Sequence, residues 1–504
     1  MLCRFTVVIS IALLILLPLR PAAALDANEL RAAIVAGLEG RGGSLTGARL
    51  SYEEVRVRPH DAGHRVEIAG LATQPAESGV WAVIGDLAFT VEEAGQGFYR
   101  VRDLTTSESV SLHAADGSRA GLLTYRLGRF EGLWASAIAS FLDMDLLTTD
   151  VRFAMADGSF LLSIEQVGAV SRGQQGEDGR YSQEADARAT GVHSEVPGQG
   201  AFDVREITAE SMVTGFDLDA YAALARELEV LGAREGDPSE ADIAALFNRM
   251  SALDLFPRAL AQRIRVSDLT AVDPGGQELF RLESFEWDAG AEGMDEPLAG
   301  ARLGAELRKL GLGPAAGAQR GLWQELVPQD AGFVLVIERL PAQRLWQALL
   351  RTMALTAGQA GQQQANPEAM GDMVAMMLLA EAIPALAEAG SSLRLPHFQI
   401  QSAAASLSAE GQFDVDPAAT QGFSGWMNFA LLGLDRIVEL IQQEAAAGNP
   451  NAQSALVFVF MLKGLARREI DDQGRAVDRY DVVFTAEGQV LVNGQPFGVP
   501  AMPQ

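Results

Sequence analysis

From Leu50 to about Val170 the apolar residues of the chain recur at every second position. Leu50, Tyr52, Val55 and Val57 precede a polar loop, and Val66, Ile68 and Leu71 follow it. AVIGDLAFTV, GFYRVRDLT, SVSLHAADGS and VRFAMADGSFLLSIEQV continue in the same style. Successive side chains on a strand point to opposite faces, so this period marks half-buried β-strands. Asp116-Gly117-Ser118 and Asp157-Gly158-Ser159 fall between such runs and are hairpin turn signals. The stretch reads as a β-meander.

Elsewhere the period becomes helical. In DANELRAAIVAGLEGRGG, Leu30, Ile34, Val35 and Leu38 share a face, Asp26 can cap, and Gly40, Gly42 and Gly43 stop the helix. Residues 218–250 read as two helices around Gly-Asp-Pro. A second pair is expected at PAQRLWQALLRTMALTAG and PEAMGDMVAMMLLAEAIPALAEAG, across the linker GQAGQQQAN, and a third at LDRIVELIQQEAAAG and NAQSALVFVFMLKGLARRE. ARLGAELRKL also looks helical, with GLGPAA as its C-cap and turn. Met370, Met373, Met376 and Met377 read as core filling, with an adaptable ligand-facing surface as the alternative. Ala455 to Leu462 is apolar all round and too short to span a bilayer, so it reads as a buried segment.

Short strings recur in order. VRDLT (Val101 to Thr105), VREIT (Val204 to Thr208) and VSDLT (Val266 to Thr270) share one pattern. YRLGRFE begins 24 residues after the first, and FRLESFE begins 14 residues after the third. Two elements in the same order point to a duplicated strand-turn-strand unit, which can bury its apolar face only by stacking on others. Ala-Glu-Gly-Gln also occurs twice, in SAEGQFDV and TAEGQVLV, and reads as one hairpin turn used twice, with Gly411 and Gly488 at positive φ.

The fold class expected is α+β, mainly antiparallel β: an elongated twisted sheet of repeated strand-turn-strand units with interleaved helical pairs. The organisation expected is a signal peptide over 1–24, an N-terminal helix over 25–48 and a β-meander region over 49–215. A helical insertion over 216–262, a second β repeat region over 263–338 and a C-terminal α+β region over 339–504 complete it.

Composition narrows the function. The chain has 504 residues, 48% apolar and 21% charged, which is ordinary globular composition with room for several cores. Its formal charge is −27, nearly all its bases are Arg (Lys309 and Lys463 are the only lysines), and it has no basic run. Nucleic-acid binding needs clustered positive charge, so that class is excluded. At the N-terminus Arg4, the apolar TVVISIALLILLPL and the small residues Ala22-Ala23-Ala24 form a signal-peptide pattern, with Leu25 as the new N-terminus. The expected location is the periplasm or outside the cell. The alternative is inner-membrane anchoring by residues 5–19, and membrane association is expected only if that segment is uncleaved. Cys3 is the only cysteine and precedes the apolar run, so a processed chain carries no disulfide or thiolate.

Candidate chemistry is sparse. No G-x-S-x-G elbow occurs, and Ser44 and Ser424 have the wrong spacing. His60 and His64 could serve zinc, but His113, His193 and His397 are scattered, so a polar hairpin loop is the simpler account. Gly311 to Ala316 nominally matches G-x-G-x-x-A in the wrong context. Asp143/Asp145, Asp217/Asp219 and Asp414/Asp416 lack the rest of a calcium loop. No cofactor, metal or catalytic residue is expected, and an enzyme stands third among the readings.

IRVSDLTAVDPGGQELFRLESFEWDAG resembles the strand-turn-strand unit of AsmA-like envelope proteins. The C-terminal YDVVFTAEGQVLVNGQPFGVP, with the export signal and interleaved helices, resembles an uncharacterised family of exported Gram-negative proteins. The similarity runs loosely from Val101 to Gln504 and rests on the repeat elements and the C-terminal segment. The AsmA-like resemblance implies a long twisted sheet whose apolar face shelters lipid acyl chains between two membranes, although this chain has more helix and no secure anchor. A groove of that kind would be lined by Tyr125, Leu127, Phe130, Phe280, Leu282, Phe285 and Trp287. Leu-x-x-Phe slips one position out of period two, so a bulge is needed to keep these side chains on one side. Helices filling the lining are the alternative. The leading functional expectation is a non-enzymatic periplasmic envelope protein that handles lipid or supports outer-membrane biogenesis, with a lipid or an envelope protein as partner. The second is a protein-interaction scaffold with a filled core. N-terminal sequencing of the exported protein should begin at Leu25; a chain that keeps Met1 and stays with the membrane would make residues 5–19 an anchor.

Overall fold

The computed structural model describes residues 26–41, 50–73, 80–95, 97–135, 140–232, 239–319, 322–357 and 367–497. Residues 1–24, Ser44, the side chains of Met370 and Met373, and the Gly-Asp-Pro and Gly/Gln-rich linkers lie outside the described residues. Two compact units make up the chain, residues 1–257 and 258–504, and the division falls within the segment 216–262. The fold is α+β and mainly antiparallel β, with helices inserted in pairs between strands.

The first unit begins with helix α1 (Ala27–Arg41). The strands that follow are β1 (Leu50–Ser51), β2 (Glu54–His60), β3 (Gly63–Thr73), β4 (Trp81–Gly95), β5 (Phe98–Thr106), β6 (Ser109–His113), β7 (Arg119–Ala135), β8 (Ser140–Met155), β9 (Leu161–Gln175), β10 (Tyr181–Val196) and β11 (Gly200–Phe216). Helices α2 (Leu218–Gly232) and α3 (Glu240–Met250) close the unit. Every pairing is antiparallel, and the strands follow one another as a meander, with β5 and β6 forming two halves of one rung between β4 and β7. The Asp-Gly-Ser turns behave as expected: Gly117 and Gly158 have φ of 80° and 70°, and Asp116 and Asp157 accept from the backbone N–H of the serine two residues on.

One helix seals this sheet. Asp26 caps α1 by accepting from the N–H groups of Asn28 and Glu29, and Arg31 donates to the Val55 carbonyl of β2. Leu30, Ile34 and Leu38 project from one side at four-residue spacing and are wholly buried. They join a core with Val55, Val66, Ile68, Leu71, Phe89 and Tyr99.

The second unit contains β12 (Ala259–Val272), β13 (Glu278–Glu292), β14 (Ala299–Leu312), a 3-10 turn (Pro314–Gln319), α4 (Leu322–Leu326) and β15 (Asp330–Leu340). Helices α5 (Ala342–Ala357) and α6 (Pro367–Ala389) follow, then β16 (Ser392–Gln401), β17 (Ser406–Val415) and β18 (Phe423–Leu432). Helices α7 (Leu434–Ala446) and α8 (Pro450–Leu465) precede β19 (Arg467–Ile470), β20 (Ala476–Phe484), β21 (Val490–Val492) and β22 (Gln495–Pro496). The antiparallel order is β12, β13, β14, β15, β16, β17, β18, β20, with β19 and β21 each pairing with part of β20.

Three expectations change here. ARLGAELRKL is not helical but forms most of β14, hydrogen-bonded on both sides, with GLGPAA running from the strand end into the 3-10 turn. The two Ala-Glu-Gly-Gln copies do different things. Gly488 sits in a hairpin at φ 79°, where its N–H reaches the Thr485 carbonyl. Gly411 lies mid-strand in β17, where a Cβ would come 2.6 Å from the Trp426 carbonyl oxygen, so close backbone approach rather than turn geometry calls for glycine. Ala455 to Leu462 lies in α8 and is not wholly buried, because among the described residues nothing packs on its outer side. Ile34→Ala should destabilise the protein by about 2–5 kcal/mol in urea unfolding; a change below about 1 kcal/mol would mean that α1 does not hold the first core together.

Candidate functional site

Of the expected lining residues, Tyr125, Leu127 and Phe130 lie in β7 of the first unit. Pairing with β8 jumps from Leu127↔Thr148 to Arg129↔Leu147, so Gly128 is an extra residue and alternation restarts after it. Phe130 thereby joins Leu127 and Tyr125 in the core that α1 helps to fill. Phe130 is buried edge-on to Phe141, with centroids 5.5 Å apart. Burial pushes the Tyr125 phenol up, against a hydrogen bond with Thr106 that lowers it. Phe130 belongs to the packed core, and Tyr125 and Leu127 are part-buried against it.

Phe280, Leu282, Phe285 and Trp287 lie in β13 of the second unit. Pairing is regular on either side of Glu283 and skips Asp268, Glu283 and Lys309, which lie in line across β12, β13 and β14. Asp268 and Lys309 have φ of 49° and 51°, the left-handed region in which a strand slips its alternation by one. Before the line, Phe280 and Leu282 oppose Ala271 and Leu269 of β12 and Leu312 and Leu310 of β14. After it, Phe285 and Trp287 oppose Val266 and Ile264, and Leu307 and Ala305. Directly opposed residues share a face, so the slip keeps all four on the apolar side.

The apolar face extends further than the sequence indicated. Ala305 and Leu307 oppose Phe333 and Ala331 of β15, which oppose Phe398 and Ile400 of β16, which oppose Ala409 and Leu407 of β17. These partners went unnoticed because β14 was read as a helix and because Pro396 and His397 interrupt the alternation of β16. The other face carries the charges. Arg263 and Arg265 pair with Glu286, Arg302 with Asp288, Arg308 with Glu306, and Arg394 with Glu338.

The apolar face is open where the first unit's is sealed. Leu282 is buried, but Phe280, Phe285, Trp287, Leu307 and Phe333 are only part-buried. Leu260 and Leu303 are 36% exposed and Leu312 is 39% exposed. Among the described residues the helices of this unit pack mainly on one another and at the ends of β15 and β17, leaving β12 to β14 without a helix comparable to α1.

The α7–α8 hairpin packs through apolar side chains and is tied further by charge. Asp435, in the first turn of α7, accepts from Lys463 of α8 and from Arg468 of β19. Arg468 stands opposite the buried Asp478 of β20, and burial together with Asp478 raises the Tyr480 phenol to about 12. The two cations hold the Asp435 carboxyl below its usual range.

Other candidates stay apart. His60 and Asp61 form the β2–β3 hairpin, and among the described residues no three metal-binding side chains converge. Among those residues no helix is long and apolar enough to cross a membrane. No protein-family model, curated protein or solved structure matches the chain.

A depressed carboxyl pKa stabilises the fold above the ordinary carboxylate range near pH 4, and that contribution is lost as the pH falls through the lowered value. Asp435→Asn should therefore lower stability by about 1 kcal/mol at neutral pH, and the loss should shrink at a pH well below the ordinary carboxylate range. Unfolding curves at both pH values check this, and an equal loss at both would remove the carboxylate from the account.

Proposed function

We propose that this is a non-enzymatic envelope protein that shelters lipid acyl chain on the apolar face of its second unit. The supporting observation is the half-exposed apolar face centred on Phe280, Phe285, Trp287, Leu303 and Leu307, with charge sorted to the opposite side. Monomer surfaces rarely expose a contiguous apolar area beyond a few hundred Å², and those that do are commonly binding sites. An acyl chain suits this face because the backbone groups beneath it are already paired within the sheet and offer little to a polar ligand. Burial is worth about 0.8 kcal/mol per methylene, so roughly a dozen half-buried methylenes contribute on the order of 5 kcal/mol. The AsmA-like resemblance and the export signal expected from the sequence favour the same reading. The scaffold reading draws support from the first unit, whose core α1 fills.

Native mass spectrometry with lipid extraction, on protein purified without detergent, tests the proposal. Phospholipid or lipid A should copurify and be lost from the Phe285→Asp/Trp287→Asp variant, while near-ultraviolet circular dichroism keeps the wild-type form. A lipid-free wild-type protein with an intact fold would overturn it.

A further inference from the structure

On β6 of the first unit a serine and a histidine form a nucleophile–base pair. Ser111 and His113 stand two positions apart and so project from one side of the strand, both part-buried. Ser111 Oγ lies 3.0 Å from His113 Nε2, and His113 Nδ1 lies 3.2 Å from the Gly117 carbonyl oxygen. A carbonyl only accepts, so in the neutral ring Nδ1 carries the proton and donates it there. Nε2 then presents its lone pair to the Ser111 hydroxyl, which donates. A nucleophile within hydrogen-bond reach of a base that a third group orients is the arrangement that activates a serine.

The surroundings hold the pair in place. Asp116 accepts from the N–H and the hydroxyl of Ser118, at 2.9 and 2.6 Å, and the Gly117 N–H donates to the Ala114 carbonyl. The turn that carries the orienting carbonyl is thereby fixed. Trp81 of β4 stacks on the imidazole, with centroids 4.5 Å apart and planes 22° apart. The turn does not itself demand the pair, because in its second copy, at 156–159, Arg152 and Ala154 occupy the positions of Ser111 and His113. Ser111 opposes Val83 of β4 and Leu122 of β7, both part-buried. Directly opposed residues share a face, so the hydroxyl lies between two apolar side chains. Arg119 of β7 opposes His113 and is exposed, which puts a permanent cation on the same face.

We propose that Ser111 is an acylation site that takes an apolar acyl group from an ester. His113 Nε2 takes the hydroxyl proton as Ser111 Oγ attacks the ester carbonyl. The Arg119 guanidinium offsets the charge of the tetrahedral oxyanion. The oxyanion collapses by breaking the bond to the alcohol oxygen, and the imidazolium gives its proton to that oxygen. The products are acyl-Ser111, a free alcohol and the neutral imidazole. The protein is the acceptor in this step, so acylation adds to acyl-chain sheltering without depending on it.

The test uses p-nitrophenyl butyrate on the full chain. Release of p-nitrophenolate should accompany acylation, and mass spectrometry of the tryptic peptide 103–119 should place the butyryl group on Ser111. Ser107, Ser109 and Ser118 in the same peptide are internal controls. Ser111→Ala should abolish the release. His113→Phe keeps a ring on Trp81 but removes the base, and should slow acylation about 100-fold or more. Neither side chain belongs to the buried core, so near-ultraviolet circular dichroism should keep the wild-type form in both variants. Four outcomes would overturn the proposal: no butyryl group on Ser111, equal labelling of the control serines, release that survives Ser111→Ala, or a rate unchanged in His113→Phe. Survival in Ser111→Ala would make the imidazole itself the nucleophile. The Phe285→Asp/Trp287→Asp variant should acylate at the wild-type rate, so failure of one proposal is distinguishable from failure of the other.

Discussion

A strand can keep one face apolar only while its sequence holds a period of two, and wherever that period slips the backbone must slip with it. Both units of this protein depend on such slips. In the first unit an extra residue at Gly128 returns Phe130 to the face of Leu127. In the second, left-handed Asp268 and Lys309 flank Glu283 and keep Phe285 and Trp287 on the side of Leu282. The Lys309 ammonium pairs with Glu283 at 2.6 Å, and its backbone N–H donates to Asp330, so the line is bonded across its strands. The repeated VxDLT string now has a physical meaning. Its acid sits at φ 54° as Asp103 and φ 49° as Asp268, a conformation that Asp adopts more readily than most residues. In the VREIT copy the acid, Glu206, pairs with Thr190, and the pairing instead skips Arg205 opposite the left-handed Gly191 of β10, at φ 60°.

The units differ in what becomes of the apolar face so made. In the first, a single helix at the chain's beginning inserts Leu30, Ile34 and Leu38, and the sheet gains a dry core. In the second, the helices enter as hairpins from strand ends and spend their apolar surface largely on one another, as Leu434, Val438 and Ile441 do with Ala452 and Val459. The sheet face between them stays half-wet, and α8 keeps an outer side on which Val457, Phe458, Phe460 and Met461 are exposed.

Much of this was legible in the residues. The meander, its Asp-Gly-Ser turns, α1 with its buried face and the three helical pairs follow from local periods and caps. Where reading failed, the slips were the cause. Along β14, Leu303, Leu307 and Leu310 stand at i, i+4 and i+7, the signature of a helix, because the left-handed Lys309 removes one residue from a strand alternation. Of the seven groove candidates, Phe280, Phe285 and Trp287 lie part-buried on the second unit's face with Leu282 buried among them, while Phe130 lies in the first unit's core with Tyr125 and Leu127 packed against it. Local pattern is identical in the two cases, because whether a helix docks over a strand is decided by tertiary packing. The apolar stretch of α8 was misjudged for the same reason: an all-apolar helix implies burial only if the fold supplies a partner for every side.

The meander also bears on how the protein is made. Within the first unit each strand hydrogen-bonds mainly to its neighbour in sequence, so a rung can close as soon as its own hairpin has formed. Closing short loops carries little entropy and is fast, whereas distant pairings must wait for the whole chain. A chain of this topology can fold in order as it emerges during synthesis, each finished strand serving as template for the next. The growing edge is then exposed for only one hairpin's length of synthesis or transport, which limits its chance of pairing with another chain.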